Sequence, residues 1–140
     1  MAQKGFKILD HPADLGIEAF GKDLKEAFEQ SAVALMSIIL DISSVHELTT
    51  KTVGLDASDY EHMLVKWLTE VLYLYDGQHF VATGFRIEDL TPTRLTAAVS
   101  GEILDLARHA TKLDVKAITY HQLSISQTDE GAKIRVFLDI

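Results

Sequence analysis

Residues 58–90, with the sequence SDYEHMLVKWLTEVLYLYDGQHFVATGFRIEDL, contain the change of hydrophobic period that decides the fold. In the first part, large apolar residues recur three or four positions apart, which is typical of a helix with one buried face. These residues are Leu64, Trp67, Leu68, Val71, Leu72 and Tyr75. Ser58 and Glu61 resemble a capping box at the helix start, and Gly77 is its predicted C-terminal stop. From Phe80 onwards apolar and polar residues nearly alternate, which is typical of a strand.

The chain before this stretch has the same two patterns in a different order. Residues 5–9 and 51–56 are predicted strands, and residues 15–20 alternate as a half-buried strand that ends at Gly21. Asp23 and Glu26 resemble another capping box, and the apolar residues after them recur at helical spacing to about Leu40. We therefore predict a helix over 23–40 and a loop over 41–50.

The chain after this stretch favours strands throughout. Residues 80–90, 94–103, 118–126 and 132–140 nearly alternate, with turn signals at Thr91-Pro92 and around Gly131. Residues 105–113 are predicted to form a turn or short helix that carries Arg108 and His109 out of the sheet. The pattern predicts an α+β fold in which two helices pack on a mostly antiparallel, curved sheet, with residues 1–140 as a single domain.

Composition limits the function. The 140 residues include no cysteine, which excludes disulfides, thiolate metal sites and cysteine nucleophiles. No segment has the apolar length of a membrane span or the pattern of a secretory signal, so we expect a cytoplasmic protein with no membrane partner. The net charge is −8 and the sequence has no cluster of Lys and Arg, so autonomous nucleic-acid binding is not expected. An acidic surface suits a cation or a basic protein.

Residues 11–17, HPADLGI, place polar groups on a short, stiff loop. Pro12 restricts the backbone, and Gly16 permits a turn that a side chain would resist. Asp14, held in this way, fits two interpretations: a cation ligand, or a turn residue that hydrogen-bonds its own backbone.

The last predicted strand stays largely apolar up to the last residue, Ile140, which indicates that the C-terminus is packed against the fold. A packed terminus would place the Ile140 carboxylate beside Asp139, and two anionic groups repel unless a cation or a basic residue lies between them. If Asp14 faces the same place, the oxygen ligands suit Ca²⁺ or Mg²⁺. Asp139 as a solvated terminal acid is the open alternative. His109 and His121 are by default hydrogen-bonded structural residues, and Lys116 lies by default on a solvated strand face.

Four separated motifs resemble the archease family over essentially the full chain. They are the 11–17 loop, Ser100-Gly101-Glu102 followed by Asp105 and His109, the run 115–121 (VKAITYH), and the ending Leu138-Asp139-Ile140. Pro12 stands where this family often has Thr, which puts in doubt any role for a hydroxyl there. No nucleotide-binding, zinc-protease, serine-hydrolase or kinase motif is present.

The resemblance implies a non-catalytic accessory protein of the RtcB-type RNA ligase, which promotes guanylylation and repeated turnover of that enzyme in tRNA exon ligation. It implies a divalent-cation site formed by Asp14, Asp139 and Ile140, with Ca²⁺ expected and Mg²⁺ or Mn²⁺ as alternatives. It also makes His11, Lys116 and His121 functional neighbours, and it links the protein to tRNA only indirectly. Two other functions stay open: a metal-dependent phosphoester hydrolase with His11 or His121 as general base, and a general chaperone.

Overall fold

A computed structural model describes residues 3–10 and 14–140. This part of the chain forms two α-helices and eight strands. In chain order they are β1 (Gly5–Asp10), β2 (Leu15–Gly21), α1 (Leu24–Ile39), β3 (Thr49–Asp56), α2 (Tyr60–Gln78), β4 (Phe80–Leu90), β5 (Arg94–Ile103), β6 (Ala117–Ile118), β7 (Ser124–Thr128) and β8 (Gly131–Asp139). The predicted α+β class is confirmed, as are the predicted positions of both helices to within a few residues.

The strands form two antiparallel sheets, where the sequence predicted one. The first sheet has the order β1-β2-β8-β6, with β7 also paired to β8, and the second has the order β3-β5-β4. Alternation shows which face of a strand is buried but not which strands pair, so it could not separate the two sheets. Helix α1 contacts β2 and β8 of the first sheet and β4 of the second.

Helix α1 is buried on more than one side, as its contacts with both sheets require. Small residues such as Ala27, Ala32 and Ala34 are fully buried along it. The predicted N-terminus is confirmed, because Asp23 Oδ1 accepts a hydrogen bond from the Glu26 amide at 2.9 Å. Glu26 accepts in return from the Lys22 amide at 3.0 Å.

Both ends of helix α2 differ from the prediction by one or two residues. Its N-cap is Asp59, which accepts from the His62 amide at 2.8 Å, and the predicted cap Ser58 was wrong. The two residues are adjacent and both are good caps, so the pattern could not separate them. The helix also continues through Gly77 to Gln78, and its C-cap is His79, which adopts the left-handed conformation with φ 53°. The predicted stop at Gly77 was therefore wrong.

Trp67 joins the two helices in the core. Its side chain is fully buried, and its indole nitrogen donates to the Phe28 carbonyl of α1 at 2.9 Å. The predicted packing role of this residue is confirmed. Neither helix of the described residues has the length and apolar character needed to cross a membrane.

The single strand predicted over 118–126 was wrong, because a turn divides this segment into β6 and β7. Gln122 in that turn has φ 51°, and Leu123 donates back to the Tyr120 carbonyl at 3.2 Å. Both strands pair with β8: β7 with its beginning and β6 with its end, where Ala117 lies opposite Asp139. Strand β8 therefore lies in the interior of the first sheet.

Candidate cation site at the ends of strands β2 and β8

Asp14 and Asp139 occupy neighbouring positions at one end of two adjacent strands in the first sheet. Strands β2 and β8 are antiparallel, and Leu15 at the start of β2 pairs with Leu138 near the end of β8. Continuing this register by one residue sets Asp14 opposite Asp139. Directly opposed residues in antiparallel strands have Cα atoms about 4.5–5.5 Å apart. The register thus brings together two carboxylates that are far apart in the sequence.

The burial of the two strands explains why this register is fixed. Ile17 faces Val136 and Ala19 faces Ile134, and all four side chains are fully buried against α1. A slip by one residue would turn these apolar side chains outward, so the apolar core specifies the pairing. The alternate positions, including Asp139, lie on the opposite, outer face.

The other predicted site residues are placed as follows. Lys116 is adjacent to the acid pair, because its amide donates to the Asp139 carbonyl at 2.8 Å. Ile140 follows Asp139 and is 39% exposed. His121 lies further along the outer face, with its ring 6.0 Å from that of Phe137 in an edge-on arrangement. His11 lies outside the described residues.

The donor atoms available here are oxygens, the type of ligand that a hard cation prefers. Asp14 and Asp139 supply carboxylates, one of whose oxygens, Asp14 Oδ1, is buried, and Ile140 adds main-chain oxygen. Oxygen ligands of this type suit Ca²⁺ or Mg²⁺. Within residues 3–10 and 14–140, no group of three or more His, Cys, Asp or Glu side chains is arranged to hold a metal ion. The cation site therefore stays a prediction that depends on main-chain oxygen as well as on the two carboxylates.

A second polar cluster, centred on Glu102 of β5, lies away from the ends of β2 and β8. Glu102 is 6% exposed, and its Oε2 accepts from the His46 amide at 2.7 Å and from Arg108 at 2.9 Å. Oε2 also lies 3.0 Å from His109 Nε2. His109 Nδ1 accepts from the Asp105 amide at 2.9 Å, so Nε2 carries the proton and donates to Glu102.

This cluster fixes the first part of the segment that leads to Lys116. His109, at 1% exposure, is a hydrogen-bonded structural residue, as predicted. The segment 105–113 is a turn without a helix. His109 points inward, where its hydrogen bond to Glu102 offsets the cost of burying that carboxylate. An isolated charged residue in the apolar strand β5 was the one signal in the sequence for this cluster.

The following residues of the same segment continue along the C-terminal end of α1. The Lys112 amide donates to the Ile39 carbonyl at 2.8 Å, and the Leu113 amide to the Ile38 carbonyl at 3.3 Å. These bonds satisfy carbonyls that a helix end leaves without partners. We call residues 102–116 the connecting strap, since it runs from the Glu102 cluster to the Lys116–Asp139 contact.

Sequence comparison places the whole chain in a known family. Residues 6–140 match the sequence model of the Archease protein family (MTH1598/TM1083). The chain belongs to the archease family. The archease of Methanosarcina barkeri is 36% identical over 141 residues, covering 98% of this chain and 97% of that protein. The archease of Saccharolobus islandicus is 37% identical, covering 98% and 99%.

Two solved structures share the archease fold. The solution structure of Methanobacterium thermoautotrophicum protein 1598 superposes with a TM-score of 0.82 and 32% identity, covering 97% of this chain and 99% of that one. The crystal structure of a Thermotoga maritima archease, described as a possible chaperone, has a TM-score of 0.60 at 19% identity. The second likeness concerns the fold alone.

Proposed function

We propose that this member of the archease family is a metal-binding accessory protein that activates an RtcB-type RNA ligase. In this proposal Asp14, Asp139 and the main-chain oxygen of Ile140 hold a divalent cation, with Ca²⁺ expected. The observation that carries the proposal is the register of β2 and β8, which sets Asp14 and Asp139 opposite each other where the two strands meet at their ends. Family membership supports an accessory role.

In this proposal the chain's own residues bind and position, and the ligase performs the chemistry. The acid pair would hold the cation against the ligase surface, and the Lys116 amide would keep the Asp139 main chain in place. A bound cation supplies positive charge that organises phosphate and carboxylate oxygens at the junction of the two proteins. The net charge of −8 fits a ligase with a basic docking surface.

The test is ligase guanylylation with GTP and divalent metal, with the chain present at less than one equivalent. We expect the wild-type chain to raise the rate and Asp14→Asn and Asp139→Asn to remove most of the stimulation. Asp89→Asn is the matched control, because Asp89 is an exposed acid on β4 in the other sheet. Full stimulation by both site variants would show that the acid pair has no part in activation.

A chaperone role is the second candidate, favoured by one structural observation. Three large apolar side chains are well exposed around the end of β5: Leu48 and Leu106 at 73% and Ile103 at 64%. Exposed apolar surface of this kind can bind unfolded chains. We expect the wild-type chain to suppress aggregation of an unrelated protein, and Leu48→Ser and Leu106→Ser to weaken this suppression. Unchanged aggregation with the wild-type chain would exclude this role.

A further inference from the structure

The outer face of the first sheet carries a row of charged side chains that the proposed function does not use. The register aligns Lys7 of β1, Glu18 of β2, Arg135 of β8 and Ser124 of β7 across the four strands. Lys133 is the next outward residue on β8, and it forms an ion pair with Glu18 at 3.2 Å. Together with Lys133, this row therefore has three cations to one anion, on a chain whose net charge is −8. Asp139 lies on the same face, at the end of β8.

Arg135 is the central residue of this row. Its side chain is partly buried, and its Nε atom is inaccessible to solvent and has no hydrogen-bond partner in the described part of the chain. Glu18 lies directly opposite in the register, yet its carboxylate is paired with Lys133. The buried Nε holds the base of the guanidinium in place, and the two terminal nitrogens of a guanidinium can bind a planar or tetrahedral oxyanion through two hydrogen bonds.

Two aromatic rings border the row on either side. The ring of Phe20 lies over Gly5 of the neighbouring strand, where a side chain would come within 3.2 Å of it. The ring of Phe137 lies over Gly16 in the same way, with a closest approach of 2.8 Å. The charged row lies between these two rings. We call Lys7, Glu18, Lys133 and Arg135 the polar strip of this face. Lys7 is exposed at the far side of the strip.

We propose that this strip is a phosphate-binding site, in which Arg135 is the main ligand and Lys7 the second. The cations come from β1 and β8, which lie at opposite ends of the sequence, so a search of the sequence for clustered Lys and Arg could not find them. Two kinds of ligand carry the same phosphate group: a free phosphate or nucleotide, and the backbone of a single-stranded RNA. This inference is independent of the ligase and of the cation site.

The test is a titration of the full chain, followed by amide chemical shifts, with inorganic phosphate in one arm and an oligouridylate in the other. A chelator is present throughout, so that no metal at Asp14 and Asp139 can bind the anion. We expect shifts in β1, β2 and β8. Arg135→Gln should weaken phosphate binding about tenfold or more, as expected for the loss of a charge-assisted hydrogen-bonding pair. Lys7→Gln should weaken binding to a smaller extent.

Arg86→Gln is the matched control, since it removes one positive charge from β4 in the other sheet, where Arg86 is 75% exposed and paired with Glu88 at 3.5 Å. We expect it to bind phosphate as the wild type does. Lys7→Gln provides the test if Arg135→Gln does not fold, because Lys7 is solvent-exposed. The proposal is overturned if phosphate shifts none of these amides at millimolar concentration, or if Arg86→Gln weakens binding as much as the variants in the strip.

The two arms also identify the source of the phosphate. If the oligouridylate binds no more tightly than inorganic phosphate, the site takes a free phosphate or nucleotide, in agreement with the absence of autonomous nucleic-acid binding expected from the sequence. If it binds more tightly and with a steeper salt dependence, the site takes an RNA strand, and that expectation is wrong. Both results support the phosphate site.

Discussion

Glu102 is the residue whose environment most changes its chemistry. Hydrogen bonds from Arg108 contribute most to holding the pKa of this carboxyl well below its ordinary value of 4.5, followed by the bond from the His46 amide. Its carboxylate in turn raises the pKa of Arg108. The carboxylate accepts from three residues on two parts of the chain, His46 and the adjacent pair Arg108 and His109, and a neutral side chain there would leave these donors poorly satisfied.

The sign of this pKa shift predicts how stability depends on pH. A carboxyl with a lowered folded-state pKa stabilises the fold fully above its unfolded value, near 4.5, and this contribution is lost as the pH falls towards the folded value. We therefore expect Glu102→Gln to be less stable than wild type in urea unfolding at pH 7. The gap should narrow as the pH is lowered below 4.5.

Glu29 and Asp76 also have shifted pKa values, but they do not affect the difference in stability between wild type and Glu102→Gln. Burial raises the pKa of both carboxyls, so their contribution to stability falls as the pH rises, which is the opposite sign. Both residues are present in wild type and variant, and their effect cancels in the difference. A gap that stays constant from pH 7 to pH 3 would mean that the charge on Glu102 does not stabilise the fold.

At the level of elements, strand β5 depends on a close approach to β4 at Gly101. A β-carbon at Gly101 would collide with the Val81 carbonyl and with the Ala82 backbone, next to the irregular register between Ala82 and Gly84. These are backbone atoms, which cannot relieve the clash by a change of rotamer as a flexible side chain can. The close pairing of β4 and β5 at this point therefore requires glycine.

We expect Gly101→Ala to lower the free energy of unfolding by about 3 kcal/mol or more, at the upper end of the range for overpacking. Gly54→Ala on the neighbouring strand β3 is the matched control, because nothing lies within 4 Å of the added methyl group. Thermal and urea unfolding of the two variants measure the difference. Equal stabilities would show that the strands separate at Gly101 without cost.

The elements also show what the sequence could predict and what it could not. Periodicity located α1, α2 and most strands, since one buried face is a local property of the chain. It missed the break between β6 and β7, because the polar residues around Gln122 continue an alternating pattern while the backbone turns. The fold of the connecting strap depends on bonds to Glu102 and to the end of α1, which are contacts between distant parts of the chain.

At the level of the whole molecule, the first sheet joins the two ends of the chain. Asp14 precedes β2 and Asp139 ends β8, and the pairing of these strands is fixed by apolar residues on the inner face. The sequence alone could name both carboxylates as candidate ligands, but it could not show that one register sets them side by side. It also could not show the row formed by Lys7 and Arg135, which needs the same pairing.

Calcium titration of the full chain by calorimetry tests the central claim, that this register creates a cation site. We predict that the wild-type chain binds one Ca²⁺, that Asp14→Asn and Asp139→Asn lose most of this affinity, and that Asp89→Asn keeps it, because a hard cation requires both carboxylates. Circular dichroism confirms that each variant is folded. Absence of calcium binding by the wild type, or unchanged binding by both site variants, would contradict the claim.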